Sequence, residues 1–327
     1  MTSQTRRLLF ACIAALAAAL LYAHTVHYDF TWDDTMLLQA AGGPGRWTRA
    51  FLEPVDRLYR PLRTLSFMAE NAARASDPAA LSHGVNVTLY AAACAAFFWF
   101  CTALLGARWA AAAALLFAAH PAHAEVVSSV GNGRADLLAA LFVFCSLALV
   151  AARPRTGART GAALLLFTLA LLSKESAAVL PGIVFVLAFC GYSENSAAAE
   201  TPSALRRAVL LALPFAAIAA VYAALRFLAL DTGAQIHGWH GGSFGATVLT
   251  SLGVVPAYAA QLFVPVPQCP IYDVSIVRDL SARAAFGAAL VLGSACAGLL
   301  CLKRRPIISL CVFWILISWL PVSPFSG

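Results

Sequence analysis

Apolar runs recur along the whole chain, at about 8–23, 85–105, 109–119, 135–152, 161–172, 177–190, 207–229, 245–264, 284–302 and 307–322. The hydrocarbon core of a bilayer is roughly 30 Å thick, so the runs near twenty residues cross it unaided as helices. Shorter ones, such as 109–119 and 161–172, must borrow flanking residues or tilt against neighbours. Charged residues make up only 11% of the chain, where soluble domains carry roughly a quarter. That is too few to coat a water-soluble surface, and the reading is an all-α polytopic membrane protein.

The first run follows Arg6 and Arg7, which also suits a signal peptide. "YAHTVHYDF" offers no convincing A-x-A cleavage site, so an uncleaved first span is expected. The net charge of +7 does not point to nucleic acid, because the basic residues fall between apolar runs and act as topology determinants. Most of the nine cysteines lie inside apolar runs as small hydrophobes, and they offer neither a disulfide framework nor a C-x-x-C metal site.

Arg6–Arg7, Arg108, "RPRTGAR" (153–159), Arg206–Arg207 and "KRR" (303–305) set the orientation. If all are cytoplasmic, the spans alternate as far as Leu230. Crossing by 245–264 would then leave Lys303, Arg304 and Arg305 outside. With Pro256 near its middle, this segment is expected to be a broken or interfacial helix on the outer face. The count becomes about nine spans. The outer loops are 24–84, 120–134, 173–176 and 230–283, and they hold the carboxylates of interest.

Several polar groups on that side need an explanation. Asp29, Asp33 and Asp34 follow the first span in "HYDFTWDDTMLLQ". "HPAHAEVVSSVGNGRADLL" gathers His120, His123, Glu125, Asn132, Arg134 and Asp136 near one turn. Its His-x-x-His-x-Glu spacing suits zinc or manganese. The HExxH motif is absent and Pro121 opposes a regular helix, so solvated polars or a substrate-orienting network are expected and no metal is required; a divalent ion is the alternative. Arg134 lies on the flank that arginine avoids, so an anionic partner is expected. Lys174 and Glu175 are the only charges between two apolar runs, where either a local ion pair or a phosphate-binding lysine set by Glu175 fits. Arg226 is a third outer cation, and Arg60 and Arg63 in "LYRPLRTLSF" add two more. Cations on separate outer turns suit a phosphate or pyrophosphate cradle. The Gly-rich loop with His237, Trp239 and His240 is not a P-loop.

In chain order, "WDD", "YRPLRTLSF", His83-x-x-Asn86, "LLFAAHPAHAEVVSSVGNGRADLLAALF", "LLSKESAAVLP" and "QLFVPVPQCPIYDV" form a set. With them the sequence resembles, over nearly its whole length, the membrane portion of the transmembrane and tetratricopeptide-repeat (TMTC) protein O-mannosyltransferases and their bacterial relatives, within the GT-C superfamily. The resemblance implies a GT-C-like bundle of about nine transmembrane helices, with amphipathic or re-entrant helices in the outer loops. It implies an inverting enzyme that takes a sugar, mannose by the likeness, from a polyprenyl-phosphate donor on the outer face. The acceptor would be a protein Ser/Thr hydroxyl, or one on a glycan or lipid. The loop acid falls on Asp33 or Asp34, with Asp33 favoured as the base, and the lipid-phosphate contacts fall on Arg134, Lys174 and Arg226. Arg60, His120, His123, Glu125, Asp136 and Glu175 would support them.

The family's tetratricopeptide repeats are absent and the sequence stops at "WLPVSPFSG", so one short or truncated membrane domain over residues 1–327 is expected. A lipid-linked-sugar flippase or transporter, or a non-catalytic scaffold, is the alternative; against transport, the polar groups crowd one face. The Ala-rich composition points to a bacterial inner membrane rather than an endoplasmic reticulum, with the site facing the periplasm or lumen.

Overall fold

A computed structural model describes residues 2–43, 47–55, 58–192, 203–226, 239, 241–266, 268–269, 272 and 274–320. Among the described residues the regular structure is helical, apart from one isolated bridge between Val55 and Leu58. The helices are α1 (Ser3–Tyr22), α2 (Asp34–Ala41), α3 (Arg49–Leu52), α4 (Pro61–Ala73), α5 (Pro78–Leu105), α6 (Ala107–Ala119), α7 (Ala124–Ser128), α8 (Gly133–Ala151), α9 (Gly157–Ser173), α10 (Leu180–Phe189), α11 (Ala204–Ala224), α12 (Phe244–Phe263), α13 (Ala282–Cys301) and α14 (Pro306–Trp319). Short 3₁₀ turns cover Ala23–His27, Pro121–His123 and Glu175–Val179.

The chain is a multi-pass membrane protein. Among the described residues, six helices are long and apolar enough to cross a bilayer: α1 with the turn after it, α5, α8, α11, α12 and α13. A seventh is reached if α6 and Pro121–Ser128, bent by 55°, form one span. The expectation was about nine. Of the expected spans, 161–172, 177–190 and 307–322 fold as shorter apolar helices at Gly157–Ser173, Glu175–Phe189 and Pro306–Trp319, and 109–119 counts only as part of the bent pair. The 245–264 run, expected not to cross, is long and apolar enough to do so.

Two compact units divide the chain, one of Met1–Leu180, Tyr192–Thr201 and Leu213–Thr232, the other of Pro181–Gly191, Pro202–Ala212 and Gly233–Gly327. In the first, α5 is the central helix and packs against α1, α6 and α8, while α9 covers α8. Alanine makes that closeness feasible. Ala11, Ala14 and Ala18 form a buried stripe on α1, and Ala110, Ala114 and Ala118 form one on α6; without a hydrophobic force between helices in lipid, small residues let backbones approach and gain dispersion contacts. Aromatic rings fill the wider gaps, with Phe97 4.7 Å from Phe117 and 5.0 Å from Phe144 between ring centroids.

In the second unit α13 packs against α12 and α14. Pro256 does not break α12, which runs on through it. Proline lacks the N–H that the carbonyl four residues earlier would accept, here that of Leu252. At that carbonyl the backbone of Gly287 on α13 comes closest, and a Cβ at Gly287 would lie 1.8 Å from the oxygen. A neighbouring helix thus covers the freed acceptor, one of the ways membrane helices tolerate proline. The expected broken helix is a continuous one, long enough to cross.

Candidate functional site

Asp33, Asp34 and Lys174, from the loops after α1 and α9, all contact residues 131–136. Their junction is the start of α8. Two neighbouring carboxylates reach it in different states.

Asp34 opens α2 and is fully buried (0% exposed). Its Oδ2 accepts the Thr31 backbone N–H at 2.9 Å, and its Oδ1 accepts the Gly131 N–H at 2.6 Å. A carboxylate holding backbone donors from its own turn and from a distant loop is a structural fastener. The turn is tight: Asp34 N–H donates to the Thr31 carbonyl at 3.0 Å, and Trp32 between them has φ 52°. A bulky residue in the left-handed region is held there only by its surroundings. The Trp32 side chain itself is 77% exposed. Gly131 lets the loop come this close: a Cβ there would lie 2.7 Å from Leu37 Cδ1 and 3.0 Å from Asp34 Oδ1, so those side chains would have to shift.

Asp33 caps α2 and is half-buried. Its carboxylate receives only long hydrogen bonds from Asn132 Nδ2, at 3.3 and 3.4 Å. At such lengths the oxygens keep most of their accepting capacity.

Lys174 comes from the turn after α9. Its Nζ lies 2.6 Å from both carboxylate oxygens of Asp136 on α8. Glu175 turns elsewhere. It accepts from Arg60 Nε at 3.1 Å and Nη2 at 2.6 Å, and its Oε2 lies 3.2 Å from Arg226 Nη1. Burial alone would raise the Glu175 carboxyl, but hydrogen bonding to Arg60 and the charges of Arg60 and Arg226 outweigh it and hold it at about 2. The local Lys174–Glu175 ion pair is not formed, because the adjacent charges take separate partners. Tyr59 and Tyr222 lie beside it, with ring centroids 6.4 Å apart.

Arg134 is placed apart from those cations. It is 0% exposed and its donors go to the Glu70 carboxylate, Asn86 Oδ1 at 2.6 Å, Ser66 Oγ at 3.1 Å and the Ser82 carbonyl at 3.0 Å. Its guanidinium lies 5.0 Å from the Phe67 ring centroid. The anionic partner expected for Arg134 is Glu70, a residue the sequence reading passed over. The signal was present: Arg63, Phe67 and Glu70 recur on one stripe of α4, and all three are buried.

The histidine motif is not gathered into a ligand set. His123 packs its ring against Phe117 at 4.3 Å and Tyr90 at 5.6 Å. His120 accepts the Ala122 N–H at 3.2 Å, and Glu125 is exposed. Among the described residues no three His, Cys, Asp or Glu side chains come together where a metal ion could be held. His237 and His240 lie outside the described residues.

The sequence relatives agree with the motifs. The chain is 37% identical over 148 residues to Protein O-mannosyl-transferase TMTC2 of Mus musculus, covering 41% of this chain and 17% of that protein. It is 32% identical over 191 residues to Protein O-mannosyl-transferase Tmtc2 of Drosophila melanogaster, covering 51% and 20%. For Protein O-mannosyl-transferase TMTC3 of Mus musculus the figures are 37% over 90 residues, 28% and 10%. The chain is therefore TMTC-like, over a smaller share of its length than the motifs implied. The matched stretch spans about a fifth or less of the length of these relatives. No family model and no solved structure matches the chain.

Proposed function

We propose that this chain carries the donor-side machinery of an inverting membrane glycosyltransferase, which moves mannose from a polyprenyl-phosphate donor to a hydroxyl of a protein acceptor on the outer membrane face. The relatives' names support the sugar and the acceptor class. One observation carries the site: Asp33 and Lys174 contact α8 at Asn132 and Asp136, four residues apart. That spacing is about one helical turn, so both side chains are anchored at the start of the same helix.

In this reading Asp33 takes the proton of the acceptor hydroxyl. The oxygen attacks the anomeric carbon from the face opposite the phosphate. The carbon–oxygen bond to phosphate breaks, and the charge left on the polyprenyl phosphate is stabilised by Lys174, Arg60 and Arg226. Three cations and two carboxylates, Asp136 and Glu175, leave this cluster with one net positive charge. A phosphate would compete with Asp136 for Lys174 and with Glu175 for Arg226. Arg134 is left out of the phosphate contacts, because protein acceptors already hold its donors. The reaction asks for no metal, since the cations supply the charge.

The test is transfer of radiolabel from polyprenyl-phosphate mannose to a peptide mixture by the protein in nanodiscs. Wild type is expected to label. Asp33→Asn is expected to lower turnover by about 10²–10⁴ while the protein stays folded. Labelling by Asp33→Asn at the wild-type rate would remove the base assignment. A folded wild type that never labels would remove the activity from this chain.

A further inference from the structure

The sequence motif His83-x-x-Asn86 has no part in the mechanism above, yet Asn86 is fully buried and every polar atom of its side chain is engaged. Its Oδ1 accepts from Arg134 Nε at 2.6 Å. Its Nδ2 donates to the Val127 carbonyl at 3.2 Å and to the Ser129 carbonyl at 2.9 Å. The partners fix the amide's orientation. A guanidinium only donates and a carbonyl only accepts, so a flipped amide would place like against like at all three contacts.

The segment so gripped is the one that delivers the α8 junction. Two residues beyond Ser129, Gly131 donates to Asp34 at 2.6 Å, and Asn132 next to it reaches Asp33. Gly133 then passes so close to the Val126 carbonyl that a Cβ would lie 1.9 Å from its oxygen. The path between Val126 and Gly133 therefore has little slack. Arg134, itself fixed by Glu70, holds Asn86 from the other side.

We propose that Asn86 is a positioning residue for Asp33: held by Arg134, it clamps residues 127–132 so that Gly131 and Asn132 set the two carboxylates. The inference rests on Asp33 being the base. No other side chain of similar size does this, since the site requires one acceptor and two donors in a single plane. Aspartate keeps the volume and pairs well with Arg134, but it presents an oxygen to two carbonyls. Asn86→Asp thus releases the clamp while retaining the buried contact to Arg134.

Two readouts separate this inference from the proposed activity. The first is hydrogen–deuterium exchange of the protein in nanodiscs, which needs no turnover. Asn86→Asp is expected to speed exchange of the Gly131 amide by about tenfold or more, with the α5 and α8 interiors as protected as in wild type. The second is steady-state kinetics with polyprenyl-phosphate mannose. The kcat is expected to fall by about 10²-fold, the cost of a displaced reacting group, with KM for the donor within about threefold of wild type. Asn132→Ala, at an exposed position, severs only the last link and is expected to lower kcat several-fold with KM unchanged. Gly131 exchange at the wild-type rate in folded Asn86→Asp would overturn the clamp. If Asn86→Asp does not fold, the Asn132→Ala kinetics decide, and an unchanged kcat would overturn the positioning role. Fast exchange with no wild-type turnover would keep the clamp and remove the enzymatic reading it serves.

Discussion

Two arginine–glutamate pairs in the first unit have the same chemistry and a buried arginine each, and differ in how far the carboxylate is exposed. Arg134–Glu70 is sealed between α4, α5 and α8, with both side chains under 10% exposed. Arg60–Glu175 lies at a turn where the glutamate side chain is 33% exposed, and Arg226 shares the same carboxylate. In the sealed pair all three guanidinium nitrogens donate within the protein. In the open one the carboxylate is partly exposed and shared between two cations. The difference separates a scaffold from a candidate binding surface, and it depends on which groups surround the pair rather than on the pair itself.

The largest expected effect tests the sealed side. Arg134→Met leaves the Glu70 carboxylate buried without its cation, and breaking a buried pair in this way costs about 3–5 kcal/mol. Thermal unfolding in detergent should show a marked drop in melting temperature. The double variant with Glu70→Leu should recover much of it, since well-packed apolar groups often replace a buried pair at little cost. A single variant as stable as wild type would mean that the pair does not carry this part of the bundle.

The open side should respond in the other currency. Lys174 and Asp136 are 23% and 34% exposed, and pairs of that kind contribute at most about 1 kcal/mol. Lys174→Ala should therefore leave the melting temperature nearly unchanged. Binding of polyprenyl phosphate to the protein in nanodiscs, followed by titration, should weaken by about tenfold, the ~1.4 kcal/mol of one lost charge-assisted contact. Unchanged affinity would show that the phosphate is held elsewhere.

The same contrast explains what was legible in the sequence. The membrane class was readable because apolar runs and basic breaks are local signals. That Arg134, Lys174 and Glu175 have charged partners was readable too, because charges beside apolar runs are rare enough to need them. Partner identity was not. Lys174 and Glu175 are adjacent in sequence, yet one reaches α8 and the other α4 and α11, a choice made by tertiary packing. Glu70 went unnoticed because in "FMAENAAR" it reads as a surface acid until the stripe through Arg63 and Phe67 is traced. Pro256 misled for a related reason: the sequence shows the missing donor but not the helix that covers the freed carbonyl.

The smallest expected effect concerns pH, and it sharpens the open side. The Glu175 carboxyl is held at about 2 in the folded protein, against 4.5 for the free group. A depressed carboxyl adds stability that is complete above its unfolded value and fades as pH falls toward its folded one. The contribution of Glu175 should thus be constant from pH 8 down to about 5 and decline only below about 4.5. The gap in melting temperature between wild type and Glu175→Gln should follow that course, flat through neutral pH and narrowing in acid. A gap that already narrows between pH 7 and 6 would mean that a group other than this carboxylate governs the turn. A gap that stays flat down to pH 3 would mean that Arg60 and Arg226 do not depend on its charge. The first outcome would leave the cation cluster intact with a different controller. The second would mean that these cations are held by packing alone, and are therefore freer to meet an incoming phosphate than the ion-paired geometry implies.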